Sequence, residues 1–380
     1  MLVLTLICLL LIAFYSILII YYHRAWDTIP VYPSPPAASP DVSITVLVPA
    51  RNEEKNIPAC LDSLARQSYP PGLFEVIVID DHSTDNTAAL VKDFSVTAPF
   101  RLTCLSLPDP SSRAYKKEAI TTGVHAARGT LIVTTDADCW SEPDWLRTIA
   151  AFYSSTQAKF IAAPVRISGP QHNLLFLLQT LDFITLQGIT GASVFKRAHT
   201  MCNGANLAYE RSAFEEVDGF KDIDKLPSGD DMLLMYKIYK KYPDKVFFLK
   251  SRAAIVSTRP EETWKGFVNQ RIRWASKADS YDDKRIFWAL LLVYIINLLF
   301  PVLLLASCWN RWYLWVLLLL GFVKTAIEYP FVRSVAAFFG QQRWMIYFPA
   351  LQPLHIAYTV TIGWLGQFGS YKWKDRKVNK

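Results

Sequence analysis

The chain has 380 residues and a formal net charge of +7, with 52% hydrophobic and 14% aromatic residues. That apolar share is high for a soluble protein and directs attention to a membrane, while the modest charge, without one long basic run or a nucleic-acid motif, sets aside a nucleic-acid-binding protein. Cys8, Cys60, Cys104, Cys139, Cys202 and Cys308 are scattered, with no Cys-x-x-Cys pair, a usage that fits a reducing compartment and neither a zinc cluster nor a disulfide framework.

Leu2 to Tyr22 carries no charge and is long enough to cross a bilayer. It lacks the basic start, short apolar core and cleavage site of a signal peptide, so residues 1–22 are expected to be an anchor. His23 and Arg24 follow it, which by the positive-inside tendency places the next domain in the cytoplasm. Residues 23–41 read as an extended linker, with five prolines between Pro30 and Pro40.

From Val42 the pattern alternates. Ile44 to Val48, Glu75 to Ile79, Arg101 to Leu107 and Thr130 to Thr135 read as strands, separated by helical stretches to Gln67, over Thr84 to Phe94 and over Lys116 to Ala127. Strand and helix alternating at this spacing predict a parallel α/β sheet with ligands at the carboxyl ends of its strands. About Glu142 to Lys250 the alternation is less regular, and the apolar stretch Asn173 to Phe195 fits either a core helix or one lying on the membrane surface. Arg259 to Lys277 spaces Trp264, Phe267, Val268, Ile272 and Ala275 at near-helical intervals among Lys265, Arg271, Arg273 and Lys277, the signature of an interfacial helix.

Ile286 to Cys308 is a second confident span. A third candidate begins at Trp312 and holds Lys324 and Glu328 one helical turn apart; a fourth, Trp344 to Gly366, is interrupted by Pro349 and Pro353. Residues 286–368 are therefore expected to give two to three spans. Four full spans would leave the basic tail, Lys372 to Lys380, outside, against the charge tendency, so one of the last two segments is expected to lie in the interface or re-enter. The tail itself fits contact with anionic headgroups.

The polar motifs fall where an α/β sheet would use them. Strand one ends in Ala50-Arg51-Asn52-Glu53 and strand two in Asp80-Asp81-His82; carboxylates there can accept from a nucleobase imide or a ribose hydroxyl. Lys116 and Lys117 open a helix, where ammonium groups and free backbone donors favour a diphosphate. Thr134-Thr135-Asp136-Ala137-Asp138 sets two hard ligands at a strand end, suited to a divalent ion shared with phosphates. Asn203-Gly204-Ala205-Asn206, Gly229-Asp230-Asp231 and Gln270-Arg271-Ile272-Arg273-Trp274 complete the series. Taken singly, each has a plain structural reading: helix caps for the aspartates, surface charge for the lysines, interfacial anchoring for Trp274.

In this order the motifs closely resemble those of the family 2 glycosyltransferases, over about residues 42 to 278. The resemblance implies a GT-A domain, a Rossmann-like nucleotide-diphospho-sugar transferase fold, over 42–258, followed by an amphipathic interface helix at 259–278 with the Gln-x-x-Arg-Trp motif. By resemblance, Ala50, Arg51, Glu53, Asp80 and Asp81 contact the nucleoside, Lys116 or Lys117 the diphosphate, and Asp136 and Asp138 the metal, Mg²⁺ or Mn²⁺, with Asp136 also near the donor. Asp231, with Asp230 beside it, matches the acidic pair that contains the general base, and Gln270, Arg273 and Trp274 match the motif that contacts acceptor and diphosphate. Asp-Asp replaces the usual Glu-Asp, and Tyr115 stands where a Gly usually precedes the Lys, which leaves the base and the phosphate-binding lysine each open between two neighbours.

The expected activity is inverting transfer from a nucleotide-diphospho-sugar, a UDP-sugar in the first place, to a lipid, lipid-linked or polysaccharide acceptor by a multi-pass inner-membrane enzyme with a cytoplasmic catalytic domain. The alternatives are a processive polysaccharide synthase and a non-catalytic sugar-nucleotide-binding scaffold. A transporter is disfavoured because the largest recognisable domain is soluble.

Overall fold

The computed structural model describes residues 2–33, 41–108, 115–170, 172–223, 229–276, 283–368, 371–373 and 376–378. In chain order the elements are α1 (Leu2–Thr28), β1 (Ile44–Ala50), α2 (Ile57–Ala65), β2 (Phe74–Asp80), α3 (Thr87–Ser95), β3 (Arg101–Ser106), α4 (Tyr115–Ala126), β4 (Leu131–Thr134) and β5 (Cys139–Ser141). There follow α5 (Trp145–Thr156), β6 (Phe160–Ala162), β7 (Val165–Ile167), α6 (Leu174–Phe195), β8 (Leu207–Glu210), α7 (Arg211–Glu216), α8 (Asp230–Lys241), β9 (Val246–Phe248) and β10 (Val256–Thr258). The last are α9 (Trp264–Ala275), α10 (Lys284–Ser307), α11 (Trp312–Phe339), α12 (Phe348–Phe368), β11 (Tyr371–Trp373) and β12 (Arg376–Val378).

The chain forms two compact units. One comprises Pro30–Ser168 and Thr200–Arg259; the other comprises Met1–Ile29, Gly169–His199 and Pro260–Lys380. The first holds a seven-stranded sheet in the order β3-β2-β1-β4-β8-β6-β9 and a three-stranded sheet, β5-β10-β7. β3, β2, β1 and β4 run parallel, but β8 is antiparallel to both β4 and β6. The sheet is thus mixed rather than wholly parallel, because the chain enters β8 from the opposite end after the excursion through α6. Val46, Val48, Val76, Val78, Leu131 and Val133 are fully buried, as strands covered on both faces require, and this explains why they read as continuous apolar runs. Gly129 lets the turn before β4 lie on β1: a Cβ there would stand 2.5 Å from the Thr45 backbone nitrogen.

The second unit is helical. α1 packs on α6 and α11, α10 on α11 and α12, and α9 on α12. Among the described residues four helices are long and apolar enough to cross a membrane: α1, α6, α10 and α11. Three sequence expectations change here. α1 continues through Thr28, so His23 and Arg24 are helical and the expected linker of 23–41 begins inside the helix; residues 34–40 of that linker lie outside the described residues. The stretch 42–258 is not one unit, because residues Gly169–His199 group with the apolar helices: α6 is mostly buried and finds its partners among them, with Gly188 permitting contact that a Cβ, 2.5 Å from Val335 Cγ2, would prevent. The interface helix spans Trp264–Ala275 rather than 259–278, with Thr263 capping it by accepting from the Gly266 N–H at 3.1 Å. Lys277 and the side chains of the basic tail from Lys372 lie outside the described residues.

Candidate active site

Strand register assembles the carboxyl edge of the main sheet. β1 and β2 pair so that Ala50 stands beside Asp80, and the Asp81 N–H donates to the Ala50 carbonyl at 2.8 Å. Arg51 then ties the two following loops together: its Nη1 donates to the Asp81 carbonyl at 2.6 Å and lies 3.7 Å from the Asp81 carboxylate. Asn52 and His82 both adopt the left-handed region, each at φ 52°, a conformation that Asn and His accept more readily than most residues. Asn52 repays its place by accepting from the Thr84 N–H at 2.8 Å and donating its own N–H to Ser83 at 3.0 Å. Glu53, Asp80 and Asp81 are buried at this edge; Asp80 accepts from the Ser83 N–H at 3.3 Å and Glu53 from the Asn56 side chain at 2.7 Å. A buried carboxylate with lone pairs left over can accept from an imide or a sugar hydroxyl.

The metal-type motif leaves the same edge. The Thr135 N–H donates to the Leu47 carbonyl at 3.1 Å, so Asp136 and Asp138 emerge directly from β4. β8 runs back beside β4 with Leu207 opposite Thr134, which brings residues 203–206 alongside, and Thr134 Oγ1 donates to the Gly204 carbonyl at 3.2 Å. The Gly204 N–H in turn donates to Asp231 Oδ2 at 3.0 Å, and the Met232 N–H donates to Asp231 Oδ1 at 2.8 Å. α8 begins at Asp230 after Gly229 at φ 82°, so both aspartates sit in its first turn, where the helix dipole favours negative charge.

The structure separates the two lysines. Lys116 Nζ lies 2.6 Å from Asp136 Oδ1 and 3.8 Å from Asp230 Oδ2, whereas Lys117 donates to the Ile223 carbonyl and is buried. Burial works against the Lys116 charge, but Asp136 and Asp230 outweigh it and hold the ammonium above its ordinary range. The thiols also shift up, which keeps them uncharged: burial first, then Asp138 and Asp136, push Cys60 and Cys139 up. Negative charge in the cluster therefore resides on carboxylates. Ligand atoms of Asp136, Asp138 and Cys139 lie within 4.8 Å of one another, and the two carboxylates supply the oxygen donors that Mg²⁺ or Mn²⁺ takes, so the residues fit such an ion.

The Gln-x-x-Arg-Trp motif lies on α9, in the helical unit. Gln270 Nε2 donates to Glu261 Oε1 at 3.1 Å, and Arg271 Nη1 donates to Gln270 Oε1 at 3.1 Å. Burial raises the Glu261 carboxyl from its ordinary range, with Arg273 and Arg271 opposing. Arg271, expected among the charges of an interfacial helix, is instead buried and paired with Asp182 of α6 at 2.6 Å. The sequence assigned no role to Asp182 or Glu261, nor to Asn206 within its Asn203–Asn206 motif; the Asn206 side chain is a hub that donates to the Pro164 and Ala254 carbonyls at 2.8 Å and accepts from Trp145 Nε1 at 2.9 Å. Only a charge inside an apolar stretch marked Asp182 in the sequence; nothing marked its partner.

Residues 45–218 match the family model described as Glycosyl transferase family 2. That span contains β1 to β8 with Ala50, Asp80, Lys116, Asp136 and Asp138, and ends before Asp230 and Trp274. Among curated proteins, the chain is 28% identical to the probable glycosyltransferase YdaM of Bacillus subtilis (strain 168), over 61% of this chain and 54% of that one. It is 31% identical to glycosyltransferase AglE of Haloferax volcanii, over 50% of this chain and 59% of that one. The chain thus spans little more than half the length of these relatives. Among solved structures, the mannosyltransferase PcManGT of Pyrobaculum calidifontis, determined with GDP-Man and Mn²⁺, aligns with a TM-score of 0.60 at 21% identity, over 96% of this chain and 98% of that one, a likeness of fold. The sheet order, the motifs at its carboxyl edge and these matches agree: the chain has a GT-A fold, and its residues 45–218 match the family 2 glycosyltransferases.

Proposed function

We propose that the protein is a membrane-bound inverting glycosyltransferase that moves a sugar from a nucleotide-diphospho-sugar, a UDP-sugar in the first place, to a hydroxyl of a lipid or lipid-linked acceptor. The observation that carries this reading is the convergence of Lys116, Asp136 and Asp230 within ion-pair reach, with Asp231 joined to the same cluster through Gly204. Glu53, Asp80 and Asp81 would accept from the nucleoside, and Lys116, released from Asp136, would meet the diphosphate. Asp231 would take the proton of the acceptor hydroxyl as its oxygen bonds to the anomeric carbon and the bond from that carbon to the diphosphate breaks. The two N–H donors on Asp231 orient its carboxylate and leave lone pairs for that proton. An Mg²⁺ or Mn²⁺ ion held by Asp136 and Asp138 would supply positive charge against the departing diphosphate.

The apolar helices α1, α10 and α11 support residence in a membrane, which we take to be the inner membrane with the sheet unit on the cytoplasmic side; a lipid acceptor would then lie within reach of an enzyme that never leaves the bilayer. Incubating membranes that contain the protein with a panel of labelled sugar nucleotides, then separating lipid from polymer products, tests donor and acceptor together. Label in an extractable lipid supports the reading; label in a high polymer would favour a processive synthase. Donor bound without any release of nucleoside diphosphate would leave only a scaffold.

A further inference from the structure

The Gln-x-x-Arg-Trp segment is tied to residues outside it at Gln270 and Arg271. Gln270 is engaged at both ends of its amide, by Glu261 and by Arg271. Glu261 is itself fixed to α6, donating its N–H to Gln179 Oε1 at 3.0 Å while its carbonyl accepts from Gln179 Nε2 at 3.1 Å. Arg271 lays its guanidinium 4.2 Å from the centre of the Trp274 ring and 4.9 Å from that of Phe267, within the range of cation–π attraction. The position of that guanidinium depends on Asp182, which pairs with Nη2 at 2.6 Å, accepts from the Tyr358 hydroxyl and has His355 Nε2 at 3.7 Å. Asp182 and Arg271 are both buried, in a helical setting where an ionised group without a partner is costly and one with a partner is fixed in place.

We infer that Asp182 is a positioning residue for the Gln-x-x-Arg-Trp motif, acting through Arg271 to set the Trp274 ring and the Gln270 amide. This rests on the proposed function for its meaning but not for its geometry. A planar fork is needed at 271, because one guanidinium bonds the Gln270 carbonyl oxygen, pairs with Asp182 and stacks on Trp274 at once; an ammonium could hold the charge but not the stack.

The test uses the full chain in detergent micelles, labelled with 5-fluorotryptophan, with the Trp274 fluorine resonance assigned by its disappearance in Trp274→Phe. Asp182→Asn and Arg271→Lys are each expected to shift or split the Trp274 signal while those of Trp140 and Trp145 stay in place. With the labelled sugar nucleotide that the parent turns over and the acceptors of its own membrane, both variants should transfer sugar roughly tenfold more slowly or worse, the scale of a misplaced positioning group, at unchanged donor affinity. In a Trp274→Ala background, Asp182→Asn should lower transfer little further. An unmoved Trp274 resonance in both variants would overturn the inference, as would the same fold loss repeated in the Trp274→Ala background. Should Asp182→Asn not fold, Arg271→Lys, which keeps the charge, decides the point alone. The fluorine spectra need no substrate, so a chain without transferase activity would sink the proposed function and still leave the positioning claim decided.

Discussion

The two units use buried charge in opposite ways. At the edge of the sheet carboxylates gather round a cation: Asp136 and Asp230 both lie within ion-pair reach of Lys116, Asp231 joins them through Gly204, and Asp136 keeps about a third of its side chain in solvent. Such a set suits a cation and a diphosphate arriving together. In the helical unit two buried pairs stand out. Lys324 meets Glu328 at 2.8 Å on α11, with Gln352 bridging them and the Tyr15 hydroxyl donating to Glu328, and Asp182 meets Arg271. On the proposed function the first cluster is where ligands complete the electrostatics, whereas the second kind of pairing ties helix to helix.

That contrast can be broken by substitution. The largest effect is expected at Asp231, whose change to Asn keeps the shape and removes the base: donor affinity should stay near that of the parent while initial transfer rate falls roughly 10²–10⁴-fold. Asp230→Asn should be milder, and the reverse order would move the base by one residue. Next, Lys324→Met should strand Glu328 in an apolar bundle and cost about 3–5 kcal/mol of stability, seen as a lower thermal midpoint in micelles, with transfer per folded molecule unchanged; a stable variant with lost activity would mean the pair is functional after all. Third, Lys116→Met should lower transfer by roughly 10²-fold, as for one removed donor to a developing charge. Lys117→Met should instead lower the midpoint, since its amine holds the Ile223 carbonyl. Equal kinetic losses in both would erase the distinction between the two lysines.

The smallest effect concerns pH. Burial, opposed by Asp283 and reinforced by Arg285, lowers His199 from 6.5 to about 4; its Nε2 faces the Ser193 hydroxyl at 2.9 Å and that of Tyr22 at 3.0 Å. A depressed folded value means that the unfolded chain binds the proton first, so stability is present at neutral pH and lost as pH falls. Between about pH 6.5 and 5 the loss should reach about 2 kcal/mol. His199→Asn should flatten that slope in thermal melts; an unchanged slope would assign the acid sensitivity to other groups.

How much of this was legible in the sequence follows the same division. The sheet edge was readable because its chemistry is local: Asp136-Ala137-Asp138 and Asp80-Asp81 are short motifs at the ends of apolar runs, and a parallel pairing puts such ends together. The choice between Lys116 and Lys117 was not readable, since adjacent residues on a helix point about 100° apart and only the fold says which faces β4. The antiparallel β8 was hidden for a similar reason: its four residues carry no mark of direction. In the helical unit, Lys324 and Glu328 could be paired by their spacing, one turn apart, but Asp182 and Arg271 stand on helices separated by the whole of the sheet unit's last third, and no local pattern joins them.

The central claim is that the acidic edge of the sheet transfers sugar with a divalent ion held by Asp136 and Asp138. The most direct test is the release of nucleoside diphosphate from a sugar nucleotide by the full chain in its membrane, with and without excess chelator, alongside Asp138→Ala. The account predicts that release is abolished by the chelator, returns on adding Mn²⁺ or Mg²⁺, and is nearly absent in Asp138→Ala whatever is added. Undiminished release in excess chelator, or full activity in Asp138→Ala, would contradict it.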